Sequence, residues 1–358
     1  MEGHEDEGSG AGHRRRLPRL LRGRTLVGVV SLAAGAAAVT LLPRIVGTTW
    51  SAVVGLASAV SPVALAALAA LWWLGLWAYA WSLTGALPGL TRPRAMLLNL
   101  SGSAVSNALP AGGAVGMWLN STMLRRWGFG VRRIADFTVT SNVVDVAGKL
   151  VVCAVALAGT AALGTLPPQV LAGAGVVSAL LATVVLVAAA LGSRVGTVVL
   201  VRAVLAVSPV ARRTVVLRRL ARWRIELLGV RRRVQETVLA QWRRLTFGTL
   251  AYVLLQGGLF WACLHLTGAV PTVSAVVAAF VVDRLASTVP ITPGGSGFAE
   301  AGATGVLLAA GAAPAAALTG VLLYRAFVVL LEVPVGGGAL AGWLLLRRRS
   351  RTDLGVAA

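Results

Sequence analysis

The chain has 358 residues, 57% of them hydrophobic, with a mean hydropathy of +0.81 and a formal net charge of +21. Apolar runs near the roughly 20 residues that a bilayer core requires recur along its length, which excludes a soluble domain and makes membrane sidedness, rather than nucleic acid, the meaning of the charge. Cys153 and Cys263 lie in apolar runs and the three histidines are scattered, so no disulfide framework, metal site or cofactor is expected.

Residues 1–24 form a basic cytoplasmic tail behind an acidic, glycine-rich tip. The run Thr25–Leu42 is long for a signal-peptide core and reads as an uncleaved first span. Pro43–Ser61, with Arg44 and Trp50, suits an interfacial segment on the outer side. Pro62–Leu87 is a second span whose Trp72, Trp73, Trp77, Tyr79 and Trp81 form either an interface belt or a packing face. Arg92 and Arg94 then return the chain to the cytoplasm.

The next stretch, 95–123, is apolar but broken by SGSAVSNALPAGG. A single crossing would put the following LRRWGFGVRR loop outside, against the positive-inside rule, and two full helices do not fit. A re-entrant hairpin entered from the cytoplasm meets both constraints. Ala135–Leu163 then runs outward and Pro168–Leu191 returns, which completes a first membrane half over 25–192. Residues 193–246 form a cytoplasmic linker. From Arg194 to Arg244 it carries thirteen Arg against two Glu, with Leu217, Leu220, Leu227 and Leu228 on one face. Either an amphipathic helix on the inner leaflet or a solvated loop that only sets topology has this pattern.

The second half, 247–346, repeats the order of span, broken stretch, span. Phe247–Leu266 crosses outward, 273–312 is the second hairpin, and Pro314–Leu346 is the last span, interrupted at PVGGG, before the cytoplasmic tail 347–358. The expected fold is therefore all-α and polytopic. It has about six spanning helices and two re-entrant hairpins in an inverted repeat, with both termini cytoplasmic. Gly112–Gly113 align with Gly294–Gly295 across the halves. Inverted repeats with broken helices that meet at the midplane are a recurring transporter design.

Chemistry concentrates in DRLASTVPITPGGSGFAE, from Asp283 to Glu300. Prolines, glycines and charges in hydrocarbon are tolerated only where protein or a wet cavity covers them. An arginine keeps its charge and its fork matches phosphate oxygens, so Arg284 and Arg325 are candidate lipid-phosphate ligands. Glu300 is a candidate for a cationic group or a proton, and Asp283 joins it as an acid at depth. Gly294 and Gly295 make a turn whose N–H groups, beside a helix start at Phe298–Glu300, favour an anion. Asn107 marks the first hairpin. The competing reading is internal pairing, Arg284 with Asp283 or Glu300, and Arg325 with Glu332 on one helical face. Asp145 and Lys149, four residues apart on one helix, neutralise one another. Asp136 reads as interfacial.

Arg284, Thr288, Pro290, the run TPGGSG at 292–297, Glu300, Gly311 and the Tyr324–Arg325 pair together resemble the lysylphosphatidylglycerol synthase transmembrane-region family, also described as flippase-like. The resemblance runs from residue 25 to 346, with its specific motifs in the second half. In the first half Met117 and Trp118 follow PAGGAVG, where many members have a basic residue. The resemblance implies a free-standing flippase-like module without the soluble synthase domain. Such a module would move an anionic phospholipid, an aminoacyl-phospholipid or a polyprenyl-phosphate carrier across a bacterial cytoplasmic membrane. Membrane lipids are the expected partners, with a separate lipid synthase as a further one. An intramembrane enzyme acting on a lipid-linked sugar and a scaffold for a synthase are the alternative functions.

Overall fold

The computed structural model describes Ala33 and residues 35–109, 112–162, 214–287 and 295–355, with backbone alone in parts such as 214–228 and 347–355. Every regular element among these residues is helical. They are α1 (Gly35–Val46), α2 (Trp50–Ser58), α3 (Pro62–Ala86), α4 (Arg92–Ala108), α5 (Gly112–Arg126), α6 (Val131–Ala162), α7 (Thr214–Leu266), α8 (Val273–Ala286), α9 (Phe298–Ala309), α10 (Pro314–Arg325) and α11 (Glu332–Gly355). Starts follow local chemistry. Ser61 accepts from Ala64 N–H at 3.2 Å ahead of Pro62, Thr272 accepts from Ala275 N–H at 3.3 Å, and Pro314 opens α10 where its missing N–H costs nothing.

Three helical stretches among the described residues are long and apolar enough to cross a bilayer: Pro62–Ala86, Gly229–Leu266 and Pro314–Leu346. Counting α1 and α2 as one span, bent by 94°, makes four. The expected return span Pro168–Leu191, most of the run Thr25–Leu42, and Gly294 lie outside the described residues. The aromatic stripe of α3 divides between the two roles foreseen for it: Trp72 is buried, whereas Trp73 and Trp77 face outward.

Both broken stretches fold as two short helices packed on one another, α4 on α5 and α8 on α9. The arms have 17, 15, 14 and 12 residues, so at 1.5 Å per residue the longest reaches roughly 26 Å, short of a hydrocarbon core of about 30 Å. In the first pair small residues let the backbones approach. A Cβ on Gly116 would lie 2.6 Å from Ser106 Oγ and 2.9 Å from the Gly102 carbonyl, so the Gly112–Gly116 spacing works as a small-residue contact strip.

The centre of the molecule is the crossing of α3 and α7. Gly248 sits against Ser82, and Ser82 Oγ shares a hydrogen bond with Thr249 Oγ1 at 2.9 Å. Tyr79 and Tyr252 pack beside them with tilted rings, 4.8 Å between centres. Leu76, Leu259, Phe260 and Tyr324 continue this core.

Two irregularities in the long helical stretches bear on the boundaries expected from the sequence. The linker and the following span meet at a kink in α7, where Gln241 leaves helical geometry (φ −115°, ψ 15°), a few residues before the expected boundary at 246/247. The last span is not interrupted at PVGGG, since Gly336–Gly338 are helical. The irregularity lies a turn earlier, in a π-turn over Ala326–Leu330, closed by Leu331 N–H to Ala326 C=O at 2.7 Å. A proline clashes with the carbonyl four residues before it, here Leu330, so widening the preceding turn accommodates Pro334. Gly336 then packs against Leu100 and Ala104 of α4, where no Cβ would fit.

Candidate functional site

The break between α8 and α9 carries a connected set of charges. Arg284 donates to Asp283 Oδ2 from Nη2 at 2.7 Å and from Nε at 3.0 Å. Arg325, from α10, donates Nε to Glu300 Oε1 at 2.8 Å, and its Nη1 lies 3.8 Å from Asp283 Oδ1. The order is therefore Arg284, Asp283, Arg325, Glu300, two positive and two negative charges in alternation. Asp283 is fully buried, and Glu300 and Arg325 are 3% and 4% exposed. The Arg284 side chain, at 11%, is the most accessible of the four. Its guanidinium lies 5.4 Å from both the Phe280 and the Tyr324 ring centres, and Tyr324 is fixed by its hydroxyl donating to Gln256 Oε1 at 2.8 Å.

Backbone geometry holds this arrangement. Gly295 (φ 70°) and Gly297 (φ 90°) adopt left-handed conformations that L side chains rarely accept, and a Cβ on Gly297 would run into Ala38 of α1. The Gly297 N–H donates to Glu300 Oε2 at 2.6 Å. Glu300 thus uses one oxygen on the helix start and the other on Arg325. The turn expected to leave an N–H nest open for a ligand anion is, at Gly297, already filled by the chain's own carboxylate. Ser287, which is not among the candidate residues, ties the other side. Its Oγ donates to the Asp283 carbonyl at 2.6 Å and receives Arg325 Nη1 at 3.2 Å. The i,i+4 spacing of Asp283 and Ser287 on α8 is the only trace of it in the sequence.

Of the candidate residues, Asp283, Arg284, Glu300, Arg325 and Gly295 come together at this break. Gly294 lies outside the described residues. Asn107 is elsewhere, at the end of α4, where its Nδ2 donates to Glu332 Oε2 at 3.4 Å. The expected pairing of Arg325 with Glu332 does not form. Seven residues on a regular helix return to the same face, but the π-turn inserts one extra residue and turns Glu332 by about 100°. One helical run therefore sends Arg325 to the second hairpin and Glu332 to the first. Asp145 and Lys149 pair as expected, at 2.7 Å. Asp136 is held across to α7 by Arg233, at 2.6 and 3.0 Å.

The family model described as the lysylphosphatidylglycerol synthase TM region matches residues 27–336. The chain belongs to this family. That match takes in both hairpins, the crossing of α3 and α7, and all four charges of the quartet. It identifies a membrane protein linked to lipid handling. A search of curated proteins finds no significant match.

Proposed function

We propose that this member of the lysylphosphatidylglycerol synthase transmembrane-region family is a transporter that moves a polar-headed lipid from one leaflet to the other, without covalent chemistry on it. The observation that carries this reading is the neutral Arg–Asp–Arg–Glu quartet, buried at a helix break in an otherwise apolar, helical protein. Charges at such depth stay only where they are paired or serve a passage for polar groups.

Within that reading the four residues divide the work. Arg325, Glu300 and Asp283 hold the break together, and Arg284 meets the lipid. A phosphate that reaches Arg284 competes with Asp283 for the same fork of N–H groups, and the Phe280 and Tyr324 rings keep the guanidinium aimed. Acyl chains remain in the bilayer throughout. The substrate class is an anionic phospholipid, aminoacylated or not, or a polyprenyl phosphate.

The two halves are read as an inverted repeat of six spans and two re-entrant hairpins, with both termini cytoplasmic in a bacterial inner membrane. Helix contacts support the repeat. Exchanging α3 with α7, α4 with α8, α5 with α9, and α6 with the α10–α11 run maps α4–α5 onto α8–α9, and α11–α4 onto α6–α8. Rocking of one half on the other about the α3–α7 crossing then alternates access.

The test is reconstitution of the full chain in liposomes with head-group-labelled phosphatidylglycerol and, separately, a labelled polyprenyl phosphate. Leaflet exposure is followed by an impermeant quencher. The wild type is expected to expose inner-leaflet label to the quencher, R284Q to lose that activity, and R284K to keep part of it. Transbilayer movement no faster than in protein-free liposomes, for both lipids, would refute a transport function. Wild-type rates in R284Q would remove Arg284 from it.

A further inference from the structure

A charge count around the interior singles out one group. Asp283 and Glu300 are balanced by Arg284 and Arg325, Asp145 by Lys149, and Asp136 by Arg233. Glu332, 6% exposed, is the buried carboxylate that has no salt bridge among the described residues. Its hydrogen bond from Asn107 is long, at 3.4 Å, and comes from a neutral amide. Ser103 of α4 and the Trp72 indole of α3 also face its carboxylate. The charged and titratable groups that reach it from the surrounding helices are Arg284 of α8, Lys149 of α6 and Tyr252 of α7. Both bases are already engaged, Arg284 by Asp283 and Lys149 by Asp145. The π-turn aims the group here, against the last turn of the first hairpin's leading arm, and π-turns inside helices recur at functional sites.

We infer that Glu332 is a proton-binding site, with a proton as the counter-ion that the protein itself does not supply, and that its occupancy is linked to the head group at Arg284. The step is a proton transfer from water or from a protonated buffer. One O–H bond forms on the Glu332 carboxylate, hydroxide or buffer base is left in solution, and the resulting neutral acid can donate to the Asn107 amide oxygen once that amide turns over. The linkage rests on the lipid reading above. An anionic head group at Arg284 takes up part of the positive field that Glu332 feels, so lipid and proton favour each other's binding by the same factor. Glu332 touches the first hairpin and Arg284 belongs to the second, so the proton would register on one half what the lipid does on the other.

The experiment is titration calorimetry of the full chain in lipid nanodiscs with short-chain phosphatidylglycerol, in buffers of different ionisation enthalpy and at several pH values. Wild type is expected to take up a fraction of a proton per lipid bound, passing through a maximum with pH. E332Q is expected to bind the lipid with no uptake, and E332D to restore uptake over a displaced pH range. Uptake in E332Q equal to wild type, or lipid binding without uptake at every pH, would overturn the inference while leaving the transport reading intact. A wild type that binds no phosphatidylglycerol at any pH would overturn phosphatidylglycerol as the lipid, and the linkage with it. The proton site itself is then read from infrared difference spectra of the lipid-free protein. A protonated-carboxyl band that grows on acidification and is missing from E332Q supports it, and its absence from wild type overturns it.

Discussion

Glu300 accepts from Arg325 with one oxygen and from the Gly297 N–H with the other, at 2.8 and 2.6 Å. Glutamine has the same shape but a single acceptor oxygen, so E300Q can keep only one of the two donors satisfied. The charge-assisted hydrogen bond lost is worth about 1.5–3 kcal/mol. Arg325 is also left with Asp283, at 3.8 Å, as its nearest counter-charge among the described residues, in a site that hardly sees water. Breaking a buried pair from one side costs about 3–5 kcal/mol, mostly because the other charge remains. R325Q should cost a similar amount, since it strands Glu300. Removing both charges leaves two neutral amides able to bond to each other, so E300Q/R325Q should be destabilised by less than the sum of the singles, with a coupling of about 2–3 kcal/mol. The assay is reversible unfolding in mixed micelles of rising sodium dodecyl sulfate, followed by tryptophan fluorescence, for wild type, both singles and the double. Costs that add within about 0.5 kcal/mol would mean the two side chains do not sense each other, and the quartet would not be the frame of the break.

Other perturbations test neighbouring parts of the structure in the same assay. G297A should lower stability by at least 1–3 kcal/mol, roughly, from its positive φ and the Ala38 contact, whereas G305A on the same helix, with open space at its Cβ, should be neutral or stabilising. G336A should push α11 off Leu100 and cost about 1–3 kcal/mol, while G338A, two residues on and facing open space, should gain up to about 1 kcal/mol. R233A should cost about 1 kcal/mol at most, because the arginine is 41% exposed and solvent screens its pair with Asp136. R232A, whose partner Glu236 is on the same exposed helix surface, should change nothing measurable.

The membrane class, the two broken stretches and the Asp145–Lys149 pair were legible in the sequence because each follows from local spacing or from what hydrocarbon allows. The partners of Arg325 were not. Its distance from Glu332 predicts a shared face only if every intervening turn is regular, and Pro334 makes one of them wide. Glu300 was legible as a buried acid at a helix start, but not as the anion that occupies its own helix end. That depends on Gly297 holding a positive φ, which glycine permits without dictating. Ser287 lacked any signal beyond its spacing from Asp283, since a serine one turn after an aspartate is common on any helix.

The alternation of charge at the second hairpin also has a consequence for the membrane potential. An elementary charge carried across 100 mV is worth about 2.3 kcal/mol. Arg284, Asp283, Arg325 and Glu300 sum to zero, so the quartet carries no net charge through the field when the hairpin and α10 shift together, whereas the hairpin alone would carry one negative charge. Empty reorientation of the hairpin with α10 should proceed at the same rate in polarised and depolarised vesicles, and a voltage-dependent rate would mean that the hairpin leaves Arg325 behind. For that joint movement only the cargo would be electrogenic, and a lipid with one uncompensated negative charge would feel the voltage that the quartet does not.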